Sequence, residues 1–178
     1  MGIENTIKNI LDGNDNEYNL IIKEYQQQIF SYIYRMVKDY QDAEDLTQDT
    51  FIKAYKKLVS LKDTSVFKSW LYQIAYRTTV NHLKKKSIKF LSLFNDPESI
   101  NEISYEVDYS SGEYGEKVTK IFATLSYKEH TLLVLRAIEE MSYSEISQVV
   151  GKSPAVLRKR YERLINKLKK EFPSQEEG

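Results

Sequence analysis

The sequence predicts an all-α protein made of two small helical domains joined by a flexible acidic linker, the C-terminal domain containing a helix-turn-helix. Apolar residues recur at helical spacing, and the alternation typical of strands is nearly absent. The 3 prolines stand at plausible helix boundaries. The 26 basic and 26 acidic residues cancel, yet an acidic segment lies between two basic ones.

Four helices are predicted in the N-terminal half. The third is expected to be capped by Asp42, and its acids precede its lysines, an order that complements the helix dipole. The second carries an apolar stripe that includes Leu20, and the fourth buries Phe67, Ile74 and Thr78. The predicted bounds are Ile3–Leu11, Glu17–Val37, Asp42–Val59 and Val66–Lys86.

The segment Asp96–Gly115 has a proline, two glycines and only acidic charge, which is typical of a linker. The chain of 178 residues is long enough for two small domains. We therefore expect a helical domain over 1–90, a linker over 91–115, a second helical domain over 116–172 and a tail over 173–178.

Helix-start signals are unusually clear in the C-terminal half. A helix is expected over Lys117–Leu125. Capping boxes open the next two helices, one at Ser126 that continues to about Glu140 and one at Ser142 that ends at Gly151. Ser153 caps a last helix, with proline at the favoured first helical position.

The two basic segments indicate a polyanionic partner. Residues 64–95 carry 6 Lys/Arg and no acid, whereas residues 151–172 carry 8 Lys/Arg against 2 acids. In a helix-turn-helix, the N-terminal residues of the last helix would reach base edges in a major groove. A basic helix that only closes a bundle is the alternative. Candidate contacts with bases or backbone are Ser153, Ala155, Val156, Lys159 and Arg160.

The fourth helix has a second basic face in which aromatics stand beside cations. Such a face suits unpaired bases better than a closed duplex. Trp70 stands at core spacing. The residues of this face are Tyr72, Tyr76, Arg77, Asn81, Lys84, Lys85 and Lys86.

Metal chemistry is a weaker hypothesis. Asp42, Asp45 and Asp49 share a helix face and would suit Mg²⁺ in a helical phosphohydrolase, but capping and the helix dipole explain them equally well. His82 and His130 are isolated in sequence, and the chain has no cysteine. We predict no catalytic residue, metal, cofactor or small-molecule substrate. The absence of an apolar run or a signal-like start favours a cytoplasmic protein.

Three motifs in order resemble the extracytoplasmic-function (ECF) group of bacterial RNA polymerase sigma factors. They are DAEDLTQDTF at 42–51, FKSWLYQIA at 67–75 and MSYSEISQVVG at 141–151. The resemblance covers about residues 18–86 and 117–170. It departs from the family pattern at Gln73, Tyr76-Arg77, Pro154-Ala155 and Tyr161. These departures bear on which promoter sequence is read and not on the role of the protein.

The resemblance implies a subunit that binds core RNA polymerase, directs it to promoters and helps to melt the −10 region. The acidic linker would follow the path of nascent RNA. The implied partners are the polymerase clamp helices and flap, promoter DNA, and an anti-sigma factor that is often a membrane protein. The implied polymerase-binding residues are Asp45, Gln48, Asp49 and Phe51. The implied −10 contacts are Lys62, Asp63, Thr64, Tyr76, Arg77, Asn81 and Lys84. The implied −35 contacts are Ser153, Ala155, Val156, Arg158, Lys159, Arg160 and Arg163.

Two rival functions remain open from sequence alone. A free-standing helix-turn-helix regulator would bind duplex DNA tightly without polymerase and with a steep salt dependence. A phosphohydrolase would hydrolyse nucleotides and lose that activity on Asp45→Ala substitution.

Overall fold

A computed structural model describes residues 2–94, 120–122 and 124–173 of the chain, and within these residues the regular structure is entirely helical. The predicted fold class is thereby confirmed. The chain divides into two compact units, one over Met1–Lys86 and one that contains α5, α7 and most of α6. The helices are α1 Ile3–Leu11, α2 Tyr18–Val37, α3 Tyr40–Lys57, α4 Phe67–Phe94, α5 Tyr127–Leu133, α6 Tyr143–Val150 and α7 Pro154–Glu171.

The N-terminal unit is held by an aromatic and aliphatic core between α2, α3 and α4. The Tyr32 and Tyr72 rings meet edge to face with centroids 5.4 Å apart, and Tyr25 meets Phe67 in the same way at 5.5 Å. The Tyr18 hydroxyl donates a 2.7 Å hydrogen bond to the backbone carbonyl of Phe51. Because these rings come from different helices, their packing fixes the relative positions of α2, α3 and α4.

Two details of the second and third helices differ from the sequence prediction. Asp39, not Asp42, caps α3, since its carboxylate accepts a 2.8 Å hydrogen bond from the Asp42 amide. The left-handed φ of 57° at Lys38 ends α2 there and leaves Asp39 in the cap position. Leu20 is 47% exposed and is not part of the α2 core stripe.

Helix α4 also corrects the prediction in two respects. It continues to Phe94 rather than ending at Lys86, because no glycine or proline interrupts the sequence before Pro97. Tyr72, which was expected on the basic face, is completely buried. It therefore belongs to the core of the unit, and the prediction that it lies on the nucleic-acid face is wrong.

The regular helices of the C-terminal unit begin at the predicted capping residues. Ser126 and Ser142 form capping boxes with Glu129 and Glu145, and the Ser153 hydroxyl caps α7. The helix predicted to reach about Glu140 is α-helical only to Leu133 and closes in a π-helical turn over Val134–Ile138. Residues 120–122 are helical, as expected within Lys117–Leu125. The predicted linker from residue 95 onward and the tail beyond 173 lie outside the described residues.

The turn between α6 and α7 depends on Gly151, whose φ is 69°. A Cβ added there would meet nothing within 4 Å, so any cost of substitution comes from the backbone alone. We expect Gly151→Ala to lower the free energy of unfolding by about 1 kcal/mol, because non-glycine residues disfavour this conformation. Urea unfolding followed by circular dichroism measures the change.

The matched control for Gly151→Ala is Gly151→Asn, since asparagine tolerates the left-handed region better than alanine does. The asparagine variant should recover part of the lost stability. An alanine variant as stable as the parent chain would contradict the left-handed turn.

Candidate nucleic-acid and partner interfaces

The first candidate interface is a groove of about 390 Å³ along α3. Its acidic and amide side chains, Asp45, Gln48 and Asp49, are exposed, and Ile52 beside them is 52% exposed. We call this surface the α3 groove. The residues that line it are Asp42, Asp45, Leu46, Gln48, Asp49, Ile52 and His82.

Three of the four predicted polymerase-binding residues therefore share one surface, and the fourth does not present its side chain there. Phe51 is 5% exposed and lies in the core, where its backbone carbonyl accepts the Tyr18 hydrogen bond. Its side chain can support α3 but cannot itself form the exposed surface. The sequence prediction did not include Ile52, although an isoleucine outside the buried stripe of an amphipathic helix indicates an exposed apolar residue.

One wall of the α3 groove is tied to α4 by a small charged cluster. The Asp42 carboxylate lies 3.1 Å from the His82 Nε2 atom and 3.0 Å from the Lys86 Nζ atom. Burial raises the pKa of the Asp42 carboxyl, but the hydrogen bonds and charges of Lys86 and His82 outweigh it and hold the pKa below its usual range. His82, which is isolated in the sequence, therefore has a carboxylate neighbour in the structure.

The Asp42 cluster makes the stability of the chain depend on pH. Because the folded-state pKa of Asp42 is lowered, its contribution is complete above the unfolded-state pKa and is lost as pH falls through the folded-state value. We expect Asp42→Asn to reduce the free energy of unfolding at pH 7 by less than about 1 kcal/mol, and we expect this difference to shrink as pH falls below the ordinary carboxyl range. Urea titrations across this range test the expectation.

Glu44→Gln is the matched control for Asp42→Asn, since it removes a charge from an exposed position of the same helix. It should leave the pH profile close to that of the parent chain. If Asp42→Asn and the parent chain differ equally at pH 7 and in acid, the ion pairs do not contribute.

The second candidate interface is the basic face of α4. Arg77, Asn81 and Lys84 are exposed and recur at i, i+4 and i+7, so they share one side of the helix, and half-buried Tyr76 lies beside them. Lys86 is directed instead to Asp42. The face therefore offers cations, an amide and one aromatic ring to an unpaired strand.

The loop that precedes α4 holds the other predicted −10 contacts. Lys62 and Asp63 are exposed and Thr64 is half-buried. The Asp63 carboxylate accepts hydrogen bonds from the Ser65 hydroxyl at 2.7 Å and the Ser65 amide at 2.9 Å, and these lower the pKa of Asp63. Asp63 thus has a local capping role in addition to its predicted one.

The third candidate interface is the exposed side of α7. Leu157 and Leu164 face the core of the C-terminal unit, while Ala155, Val156, Lys159, Arg160 and Arg163 are exposed. Of these, Ala155, Lys159 and Arg163 recur at i, i+4 and i+8 on the side away from the two leucines. Ser153 is exposed at the N-terminus, where its hydroxyl accepts a 3.4 Å hydrogen bond from the Val156 amide. Arg158 is exposed on a different side of α7, next to Tyr143 of α6.

Among the residues that the structure describes, no group of three or more His, Cys, Asp or Glu side chains is arranged to hold a metal ion. His130 is 3% exposed and packs on Phe122 with ring centroids 4.5 Å apart. The described residues present one acidic surface on α3 and basic residues on α4 and α7.

Comparison with known proteins finds two family matches along the chain. Residues 21–88 match the family Sigma-70 region 2, and residues 115–168 match Sigma-70, region 4. Together the matches cover more than half of the chain, and they define a transcription initiation factor of the sigma-70 class. The chain belongs to the ECF group of bacterial RNA polymerase sigma factors. This confirms the family and the general function that the three motifs indicated.

Two relatives from Bacillus subtilis illustrate the similarity. The RNA polymerase sigma factor YlaC is 28% identical, with 88% of this chain and 92% of the relative covered. The ECF RNA polymerase sigma factor SigW is 25% identical, with 97% of each chain covered.

Solved structures show the same fold. The sigma factor RpoE of Bartonella quintana, solved with the anti-sigma factor NepR, has a TM-score of 0.72 at 19% identity and covers 90% of this chain and 99% of its own. CnrH, solved with the cytosolic domain of CnrY, has a TM-score of 0.69 at 19% identity, covering 98% and 99%. Within the described part of the chain, none of the helices is long and apolar enough to cross a membrane.

Proposed function

We propose that this sigma factor binds core RNA polymerase through the α3 groove, melts promoter DNA with the loop at 61–66 and the basic face of α4, and reads the −35 element with α7. The observation that carries the proposal is the α3 groove itself. There Asp45, Gln48 and Asp49 are exposed together beside an exposed isoleucine. Apolar area surrounded by charged and amide groups is typical of a protein-protein interface.

The clamp helices of the polymerase large subunit are the proposed occupant of the α3 groove. Asp49 already pairs with Lys53 at 3.4 Å on the exposed surface. A pair of this kind is weak in water, so a partner cation can displace Lys53 at little cost. The acidic groove therefore favours a partner that brings basic side chains and covers Ile52.

The proposed −10 contacts are Lys62, Asp63, Thr64, Tyr76, Arg77, Asn81 and Lys84. Melting requires bases to leave the stack, which costs a few kcal/mol, and protein contacts to the extruded base offset that cost. On α4, the Tyr76 ring suits stacking, while Arg77 and Lys84 suit phosphates. This combination supports contact with an opened strand rather than a closed duplex.

The proposed −35 contacts are Ser153, Ala155, Val156, Arg158, Lys159, Arg160 and Arg163. Exposure of the N-terminal turn of α7 supports its insertion into a major groove, with the free amides of the helix start toward phosphate. Arg160 and Arg163 supply cations one helical turn apart. The promoter sequence determines which of these residues contact bases and which contact the DNA backbone.

The remaining assignments follow from this function. Residues 1–94, which include all of α4, and 116–172 would carry the −10 and −35 roles. The acidic linker, which then begins after α4, would take the RNA path, where its negative charge resembles that of RNA. The factor would act in the cytoplasm without catalysis, cofactor or small-molecule substrate. Because the structurally similar RpoE was solved with the anti-sigma factor NepR and CnrH with the cytosolic domain of CnrY, we propose control by an anti-sigma factor, membrane-bound in the simplest arrangement.

Reconstitution with core polymerase tests the proposed function. The full chain is added to core enzyme on fragmented genomic DNA, and the 5′ ends of the transcripts are sequenced. A shared pair of upstream elements at −35 and −10 spacing is expected in transcripts that depend on the added chain. A chain that fails to associate with core enzyme, or that adds no promoter-specific transcripts, contradicts the proposal.

A further inference from the structure

Tyr143, at the start of α6, has two arginines close to its ring within the C-terminal unit. The Arg136 guanidinium is 5.2 Å from the centroid of the Tyr143 ring, and the Arg158 guanidinium is 5.7 Å from it. Tyr161 of α7 meets the same ring edge to face with centroids 6.3 Å apart. Both cations are within the distance at which an aromatic ring attracts them.

The position of Arg136 depends on unusual backbone. Helix α5 closes in the π turn Val134–Ile138, and Glu140 follows with a left-handed φ of 55°. This path brings the Arg136 Nη1 atom to 3.1 Å from the Met141 carbonyl, to which it donates a hydrogen bond. Irregular backbone of this type recurs at functional sites, because local strain persists only where the surrounding structure supports it.

Arg158 differs from the other cations of α7 in its direction. Lys159 and Arg163 recur at i and i+4 on one side of the helix, whereas Arg158 lies next to Tyr143 at the start of α6. An exposed arginine ordinarily samples many rotamers, and a ligand that immobilises it must offset that loss of entropy. The cation–π contact with Tyr143 favours one set of rotamers before any ligand arrives.

We propose that Tyr143 is a positioning residue for DNA binding: its ring holds Arg158 in place for a contact with the phosphate backbone, and Arg136 holds the ring. Arg158 remains exposed beside the ring, and the N–H donors of a guanidinium match two oxygens of a phosphate. The role belongs to the ring rather than to the tyrosine hydroxyl. The inference rests on the proposed function of α7 as the DNA reader.

Binding of the full chain to a short duplex of arbitrary sequence tests the proposal, since phosphate contacts do not depend on sequence. The affinity is measured over a salt series for the parent chain and for Tyr143→Leu, Tyr143→Phe, Arg158→Ala and the double variant Tyr143→Leu/Arg158→Ala. Tyr143→Leu should weaken binding about five-fold at low salt. It should also reduce the slope of log K against log salt by about 0.9, as the loss of one phosphate contact does.

The other variants distinguish positioning from a merely structural role. Tyr143→Phe keeps the ring and should retain the parent slope, and the double variant should bind no more weakly than Arg158→Ala alone. A slope unchanged in Tyr143→Leu overturns the proposal. So does equal loss in Tyr143→Phe and Tyr143→Leu, because the hydroxyl would then make the contact. Circular dichroism verifies that each variant is folded.

Arg160→Ala and Arg163→Ala separate this inference from the proposed function. If they weaken duplex binding while Tyr143→Leu does not, only the positioning role fails. If they have no effect, or if the parent chain binds no duplex at low salt, the assignment of α7 as the DNA reader fails as well.

Discussion

Reversing two charges in the α3 groove, with Asp45→Lys and Asp49→Lys in one chain, should reduce affinity for core polymerase at least about 100-fold. Each substitution removes an acceptor for a partner cation and places a like charge in its path, which costs several kcal/mol in a desolvated interface. Both side chains are exposed in the free chain, so the fold should be unaffected. Competition for core enzyme against a labelled parent chain measures the affinity.

Glu44→Lys is the matched control for the charge reversal. Glu44 is exposed on the same helix but does not line the α3 groove. It should bind core enzyme nearly as well as the parent chain. DNA binding by α7 should also survive the Asp45 and Asp49 reversals, and equal loss of polymerase and duplex binding would contradict the separation of roles.

Replacing Tyr72 with alanine should cost about 3–5 kcal/mol of stability, a large part of what holds a small domain together. Tyr72 is completely buried and its ring meets Tyr32 across the α2–α4 interface. Alanine would leave a cavity and remove the aromatic contact. Urea unfolding followed through the fluorescence of Trp70, the single tryptophan, reports on this unit.

Tyr76→Ala is the matched comparison for Tyr72→Ala, because it distinguishes a tyrosine of α4 that packs in the core from one that lies at the DNA interface. Tyr76 is half-buried, so its removal should cost less stability than removal of Tyr72. With core polymerase bound, Tyr76→Ala should weaken binding to a promoter probe opened at −10. If Tyr76→Ala destabilised the chain as much as Tyr72→Ala, Tyr76 would belong to the core and not to the DNA face.

The helix starts of the C-terminal unit were predictable because their signals are local. A Ser/Thr cap and a Glu three residues later satisfy backbone amides within one turn, so Ser126 and Ser142 needed no tertiary information. Gly151 and Pro154 mark the turn for similar reasons. The π turn at Val134–Ile138 has no comparable local signal, which explains why α5 was expected to run on to Glu140.

The choice between adjacent caps and between helix faces was less predictable. Asp39 and Asp42 both suit a helix start, and the end of α2 at Lys38 selected Asp39. Tyr72 and Tyr76 are one helical turn apart and chemically identical, yet Tyr72 is completely buried against Tyr32 whereas Tyr76 is half-buried. Periodicity places residues on faces, but which aromatic is buried depends on the partner helix.

The sequence alone determined the helical class, the three family motifs and the separation of acidic from basic segments, because these follow from the order of residue types along the chain. Tertiary structure alone decided which side chains remain exposed for contact with a partner. It buried Phe51, exposed Ile52, paired Asp42 with residues 40 and 44 positions away, and placed Arg158 on Tyr143. Contacts between distant positions depend on how helices pack, and packing is a property of the folded chain rather than of any local segment.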